Sequence, residues 1–277
     1  MGGFFQKENI MDLKSYYCPD PNEKPLDNLV EDGGFAKIFR RIAYVGDSLS
    51  SGEFEAVDAT GKRTYHDMFE YSWGQYISRS CGNTGYNFSR GGMTAKEYCE
   101  SFAQAKGFWD ADKACQAYVI ALGVNDVINQ HMPIGTTADI CREDWSKNAP
   151  TFTGYYAQVI QRYKEIQPHA RFFLVSMVHW HALGDRSADI VAHRDALNAM
   201  ADFFENTYVI DLCTYLPPYT ADFDNRYCLH GHMNPMGYVF TAKVISSYMD
   251  YIIRHNMPDF RQVGFIGTSM YDVNLDK

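Results

Sequence analysis

The sequence predicts an α/β protein, a parallel sheet covered by helices on both faces. Two observations carry this reading. Short apolar runs alternate with segments of helical period five times along the chain, and each such crossover covers one face of a parallel sheet. The run Ala117-Tyr118-Val119-Ile120-Ala121-Leu122 is apolar without a break, as a central strand buried on both faces requires.

Taken in order, residues 1–40 carry Pro19, Pro21, Pro25 and the pair Gly33-Gly34, and read as irregular chain lying over the surface. They either cover an edge of the sheet or join a subunit contact, which leaves a homo-oligomer open. The first strand, from Arg41, stops sharply at Gly46-Asp47. Ser48 therefore falls at the carboxyl rim, where open α/β sheets bind their ligands. Residues 51–65 hold two mixed polar and apolar runs around Thr60-Gly61 and read as a hairpin or excursion beside Ser48, either walling a site or standing in solvent. Met68, Tyr71, Tyr76 and Ile77 follow a helical period that Gly82 ends.

Tyr86-Asn87-Phe88 reads as the second strand. The Gly91-Gly92 pair behind it offers a backbone that a ligand can approach closely, and Thr94 with Glu97 forms a capping-box pattern for the next helix. The strand Ala117–Leu122 then delivers Asn125 to the rim that Ser48 occupies. Residues 127–150 lack periodicity and leave from this rim, so they read as a lid or specificity loop. A helix from Thr151 stops at Pro168; a strand from Arg171 to Val178 runs into His179-Trp180-His181. After a helix over 187–205 and a strand over 208–212, Asn234-Pro235 supplies an N-cap and first-position pair for the last helix. His232 thus lies in the turn before a helix. The tail 257–277 has one apolar patch, Val263-Gly264-Phe265-Ile266, suited to packing on the body or on a neighbouring subunit.

Four blocks stand at these strand ends in a fixed order: Gly46-Asp47-Ser48-Leu49, Asn87 to Thr94 with its Gly-Gly pair, Gly123-Val124-Asn125-Asp126, and His232-Met233-Asn234-Pro235-Met236-Gly237. Together they resemble the SGNH hydrolases, the GDSL-type esterases and lipases, over about residues 41 to 254. The resemblance implies a three-layer α/β/α sandwich with a flavodoxin-like parallel five-stranded sheet. It also implies a serine esterase in which Ser48 is the nucleophile and His232 the general base. The N–H groups of Ser48 and Gly92 and the Asn125 amide would bind the oxyanion. No cofactor is expected.

One position departs from the family pattern. Three residues before the histidine, where the family usually has an aspartate, this chain has Leu229. Either a backbone carbonyl orients His232, giving a Ser-His dyad, or a carboxylate comes from elsewhere, Asp222 and Asp224 being the nearest upstream. His230 is a rival base without the His-x-Asn-x-x-Gly context. His179 and Trp180 are candidate substrate-binding residues in the pocket wall, Trp180 as a stacking surface for a sugar ring. The His-x-His pair also suggests a metal, but no acidic or cysteine partner can be set beside it from sequence, and no metal site is expected.

Composition narrows the class. With 277 residues, 46% hydrophobic content and no linker-like stretch, the chain reads as one domain over 1–277. A formal charge of −9 gives no footprint for nucleic acid. No apolar stretch approaches a membrane span, and Lys7, Glu8, Asp12 and Lys14 interrupt any signal-like core, so a cytoplasmic protein is expected. Seven cysteines, an odd number without C-x-x-C spacing, indicate neither a zinc site nor a disulfide framework. Three functions remain: an esterase for a small acyl ester, with an acetylated carbohydrate or another small molecule as substrate; an acyltransferase using the same acyl-enzyme; and a binding protein that kept the fold without turnover.

Overall fold

The computed structural model describes residues 13–276. Part of the predicted surface wrap, and Lys7, Glu8 and Asp12 of the predicted leaderless start, lie outside the described residues. The strands in chain order are β1 (Arg41–Gly46), β2 (Glu53–Val57), β3 (Arg63–Asp67), β4 (Thr84–Ser89), β5 (Ala117–Ala121), β6 (Arg171–Val175) and β7 (Thr207–Ile210). Five of them form one all-parallel sheet in the order β4-β1-β5-β6-β7, while β2 and β3 form an antiparallel hairpin beside it. Ranked among the five, that order is 2-1-3-4-5, the flavodoxin-like arrangement.

The period of two along each strand divides the core into two layers. Ala43, Val45, Tyr118, Ile120, Phe172 and Leu174 face the helices Phe152–Ile166 and Ser187–Phe203. Ile42, Tyr44, Val119 and Phe173 face the helices Trp73–Cys81 and Pro235–His255. The buried tyrosines keep their hydroxyls paired: Tyr44 with Ser78 at 2.9 Å, and Tyr156 with the Ile120 carbonyl at 2.9 Å. Their rings supply apolar area without leaving a polar atom stranded. No helix among the described residues is long and apolar enough to cross a membrane.

Residues 13–40 lie along the helix Pro235–His255 and not along an edge of the sheet. Val30 N–H donates to Ser247 Oγ (2.9 Å) and Phe35 N–H to Asp250 Oδ1 (2.7 Å). Arg254 donates from both terminal nitrogens to the two Glu23 oxygens at 2.8 Å each, and from Nε to Asp250 at 2.6 Å. The tail packs on the body: Val263 and Ile266 are buried, and Arg40 and Gln116 both hold the Gly264 carbonyl.

The predicted lid is corrected here. Val124–Asn129 forms one wide helical turn, and the chain beyond it runs back over the helices. Phe152 and Thr153 N–H groups donate to the Pro133 and Ile134 carbonyls, Asn148 donates to Gln161 Oε1, and Ile140 is buried. Asp139 and Asn148 are among the polar residues that fasten it down.

Among the described residues Arg254 is the only cation bonded to Glu23 and Asp250 together, and both carboxylates are almost wholly shielded. Arg254→Met should therefore cost about 3–5 kcal/mol, because two buried charges lose their partner. Urea unfolding at neutral pH, followed by circular dichroism, measures it.

Candidate active site

β1 ends at Gly46, and Asp47 caps the single helical turn Ser48–Ser51, its side chain accepting from Leu49 N–H at 3.2 Å. Ser48 is thus the first residue of a helical turn, and its N–H has no acceptor within that turn. Among the described residues the Ser48 hydroxyl makes no hydrogen bond. At the end of β4, Gly92 has φ = +72°, a left-handed conformation that favours glycine, and a Cβ there would meet open space. Gly91 lies close to Glu53: a Cβ on it would sit 2.0 Å from Glu53 Oε2 and displace that carboxylate.

Asn125, at the end of β5, is held from both ends of its amide. Its Oδ1 accepts from Asn129 Nδ2 at 2.8 Å, and its Nδ2 donates to the Met93 carbonyl at 3.1 Å, with Asp47 Oδ2 at a longer 3.5 Å. One Nδ2 proton is therefore only weakly engaged. Ser48, Gly92, Asn125 and His232 all line one cavity of about 410 Å³, whose wall is otherwise mainly apolar, with Leu122, Met177 and Leu212 in it.

His232 lies between two carboxylates. Its Nδ1 is 3.3 Å from Glu55 Oε2 and its Nε2 is 3.1 Å from Glu53 Oε1. Both carboxylates come from β2, where residues two apart share a face. Phe54, between them, points the other way and packs on Tyr71 and Tyr238. The Tyr65 ring on β3 meets the imidazole edge-on at 5.9 Å. The hairpin thus walls the site, one of its two sequence readings.

The two glutamates differ in how they are held. Glu55 has a side chain only 2% exposed. Burial pushes its pKa up, but the Gly231 N–H at 3.0 Å, the bond to His232, and the Arg63 and His232 charges outweigh it and leave the carboxyl below its ordinary value. Arg63 lies 2.6 Å from Glu55 Oε1 in ion-pair rather than hydrogen-bond alignment. Glu53 is shifted upward instead, first by burial, then by the Asp67 and Glu55 charges, against the pull of His232.

The sequence candidates for orienting His232 are engaged elsewhere. Asp222 pairs with Arg226 at 3.1 Å; Asp224 accepts from Trp180 Nε1 at 2.7 Å and faces His181 Nε2 at 2.6 Å. Leu229 stands opposite His232 in a two-residue ladder and is half exposed. His230, at the tip of that ladder with φ = +57°, does not line the cavity. Trp180 does line it, its indole fixed by Asp224. His179 does not: its Nε2 faces Cys213 Sγ at 3.4 Å and its Nδ1 the Ser187 hydroxyl at 3.5 Å. The one group of three metal-capable side chains among the described residues is Cys18, Glu23 and His255, away from this cavity, and Arg254 already occupies its carboxylate.

Behind the site lie groups that sequence reading passed over. His193, wholly buried, has its pKa pushed down to about 4 by burial and is neutral. Its Nε2 lies 3.0 Å from the Leu122 carbonyl and its Nδ1 accepts from Met177 N–H at 3.4 Å, tying the ends of β5 and β6 together. Asp126 accepts from Ala95 N–H at 2.9 Å, and burial raises it to about 6. The signal for Glu53 and Glu55 was in the sequence as an i, i+2 carboxylate pair on a predicted strand. That for His193 was a lone histidine on an otherwise apolar helix face.

Residues 44–240 match the sequence profile of the GDSL-like Lipase/Acylhydrolase family. No curated protein sequence matches the chain. Among solved structures, a protein from Lactobacillus plantarum superposes with a TM-score of 0.56 at 17% identity, over 78% of this chain and 97% of its own. A family two carbohydrate esterase from Clostridium thermocellum, in complex with cellohexaose, does so with a TM-score of 0.52 at 16% identity, over 79% of this chain and 65% of its own. A carbohydrate esterase family 2 enzyme with a carbohydrate-binding domain, from Corynascus thermopiles (Myceliophthora fergusii), gives 0.52 at 17%, over 77% and 66%. At these identities the likeness is one of fold.

Burial raises the Asp47 pKa to about 7, against the pull of the Leu49 N–H and with help from the Asp126 and Glu53 charges. The folded protein therefore binds this proton more tightly than the unfolded chain, and the contribution is lost as pH rises from the unfolded value of about 4 through about 7. Asp47→Asn should remove that loss. The wild type should lose up to about 4 kcal/mol relative to the variant across this window, as measured by urea unfolding at several pH values.

Proposed function

The chain belongs to the GDSL-like lipase/acylhydrolase family and is a carboxylic ester hydrolase, and we propose that it cleaves small acyl esters, acetyl esters of carbohydrates in particular, through an acyl-enzyme on Ser48. The observation that carries this is the convergence on one cavity of four groups, a hydroxyl, a glycine N–H and a carboxamide from the ends of three neighbouring strands and an imidazole from the turn before the helix Pro235–His255. That set serves acyl transfer and has no obvious use in a plain binding pocket.

In the proposed reaction His232 takes the proton of the Ser48 hydroxyl as its oxygen attacks the ester carbonyl. The tetrahedral oxyanion is met by the N–H groups of Ser48 and Gly92, neither of which has an acceptor among the described residues, and by the loosely engaged Nδ2 proton of Asn125. His232 then protonates the leaving alcohol, and water, activated by the same ring, releases the acid and restores Ser48. Nε2 is the nitrogen that has to face Ser48, so Glu53 gives up its 3.1 Å contact when an ester enters. The carbohydrate part of the proposal draws support from Trp180, whose ring stands in the cavity wall with its N–H already satisfied, and from the carbohydrate esterases of the same fold.

A fluorophosphonate should add one adduct mass to the wild type and none to Ser48→Ala. Asn125→Ala should lower kcat by about 10² to 10³ while the protein stays folded, the usual effect of losing one oxyanion donor. Hydrolysis of acetylated sugars should exceed that of p-nitrophenyl esters with long acyl chains in kcat/KM. The reverse order would remove the small-acyl assignment.

A further inference from the structure

A general base of this kind needs a group that fixes its ring and holds the proton on the nitrogen away from the nucleophile. The family's usual position for it is occupied by Leu229, which points to solvent. We infer that Glu55, carried on the hairpin that follows the nucleophile, is the positioning residue of His232 and completes a Ser48–His232–Glu55 triad. The inference rests on the Ser48–His232 reading above.

Three observations single out Glu55 from the other acids. First, it faces the correct nitrogen. Glu55 Oε2 is on Nδ1, which leaves Nε2 as the nitrogen able to turn towards Ser48, whereas Glu53 is on Nε2 itself. A group on Nε2 competes with the nucleophile and cannot serve it.

Second, Glu55 is held at both carboxylate oxygens. The oxygen that meets the ring also accepts from Gly231 N–H at 3.0 Å, so a single atom fixes both the ring and the backbone just before it. The other oxygen faces Arg63, on the partner strand of the same hairpin, at 2.6 Å. With the side chain 2% exposed, water competes little for these contacts. Glu53, in contrast, has His232 as its only polar side-chain partner among the described residues, so it can leave without breaking a network.

Third, the charge states fit these roles. Donors and cations around Glu55 overcome its burial and keep it ionised, while burial shifts Glu53 towards its neutral form. An anion on Nδ1 stabilises the imidazolium that forms when Ser48 is deprotonated. Asp222 and Asp224 are excluded by their bonds to Arg226, Trp180 and His181.

Glu55→Gln and Glu55→Ala test this against a role in packing alone. The Gln amide can turn its N–H towards Nδ1 and so stabilise the tautomer that cannot accept the Ser48 proton. Glu55→Gln should therefore lower kcat by roughly 10² to 10⁴, as loss of the acid does in other triads, while KM changes little. It should slow fluorophosphonate labelling of Ser48 in parallel and be no more active than Glu55→Ala. A Gln variant that keeps wild-type kcat and labelling rate, with only the Ala variant impaired, would overturn the inference and leave the esterase reading intact. If the wild type itself takes no label, the esterase reading fails first. Should both variants fail to fold, nitrogen-15 NMR of the histidine rings in the wild type decides: a proton on His232 Nδ1 supports Glu55, and a ring protonated on Nε2 alone overturns it.

Discussion

All five central strands run the same way and the inner three, β1, β5 and β6, are buried on both faces, so the carboxyl ends form an edge at which polar groups can gather without breaking a core. The site is a consequence of that constraint. Ser48, Gly92 and Asn125 follow β1, β4 and β5, three neighbours in the sheet, and His232 arrives from the loop before the last helix. Parallel pairing fixes their mutual height, since a slip of one residue would exchange the two faces of a strand.

Burying acids is costly unless they are paired or protonated, and this rim uses both solutions. Glu55 is paired with donors and a cation, whereas Asp47 and Asp126, beside which no cation lies among the described residues, are shifted upwards by burial. The neutral His193 bonds backbone atoms only. Asp47, Asp126, Glu55 and His193 are thus each held by hydrogen bonds to the backbone, unlike the Glu53 carboxylate. Held dipoles beside a cavity suit the oxyanion role proposed for Ser48, Gly92 and Asn125.

Much of this was legible in the sequence because it is local. The strands are short apolar runs, the turns carry glycine, and each of the four blocks sits within a few residues of its strand or helix end. Other features were not, because they depend on pairings distant in sequence. The contact between Glu55 and His232 spans 177 positions, and no local pattern says that the hairpin folds over the histidine rather than into solvent. Residues 127–150 lack periodicity because side chains such as Asn148 and Gln161, not a hydrophobic stripe, fasten them. His179 and Trp180, adjacent in the chain, separate for a simple reason. Trp180, beyond the end of β6, is extended and bridged to Tyr219, and neighbours in extended chain point to opposite sides, here one to Cys213 and one into the cavity.

The helix Pro235–His255 begins three residues after His232 and ends beside Arg254, which grips the amino-terminal segment through Glu23. Its 21 residues make a rod of roughly 31 Å at 1.5 Å per residue. A helix resists stretching far more than a loop does, so axial slippage at one end is passed to the other. The clasp on Glu23 and the turn that carries His232 thus stand at opposite ends of one continuous helical element.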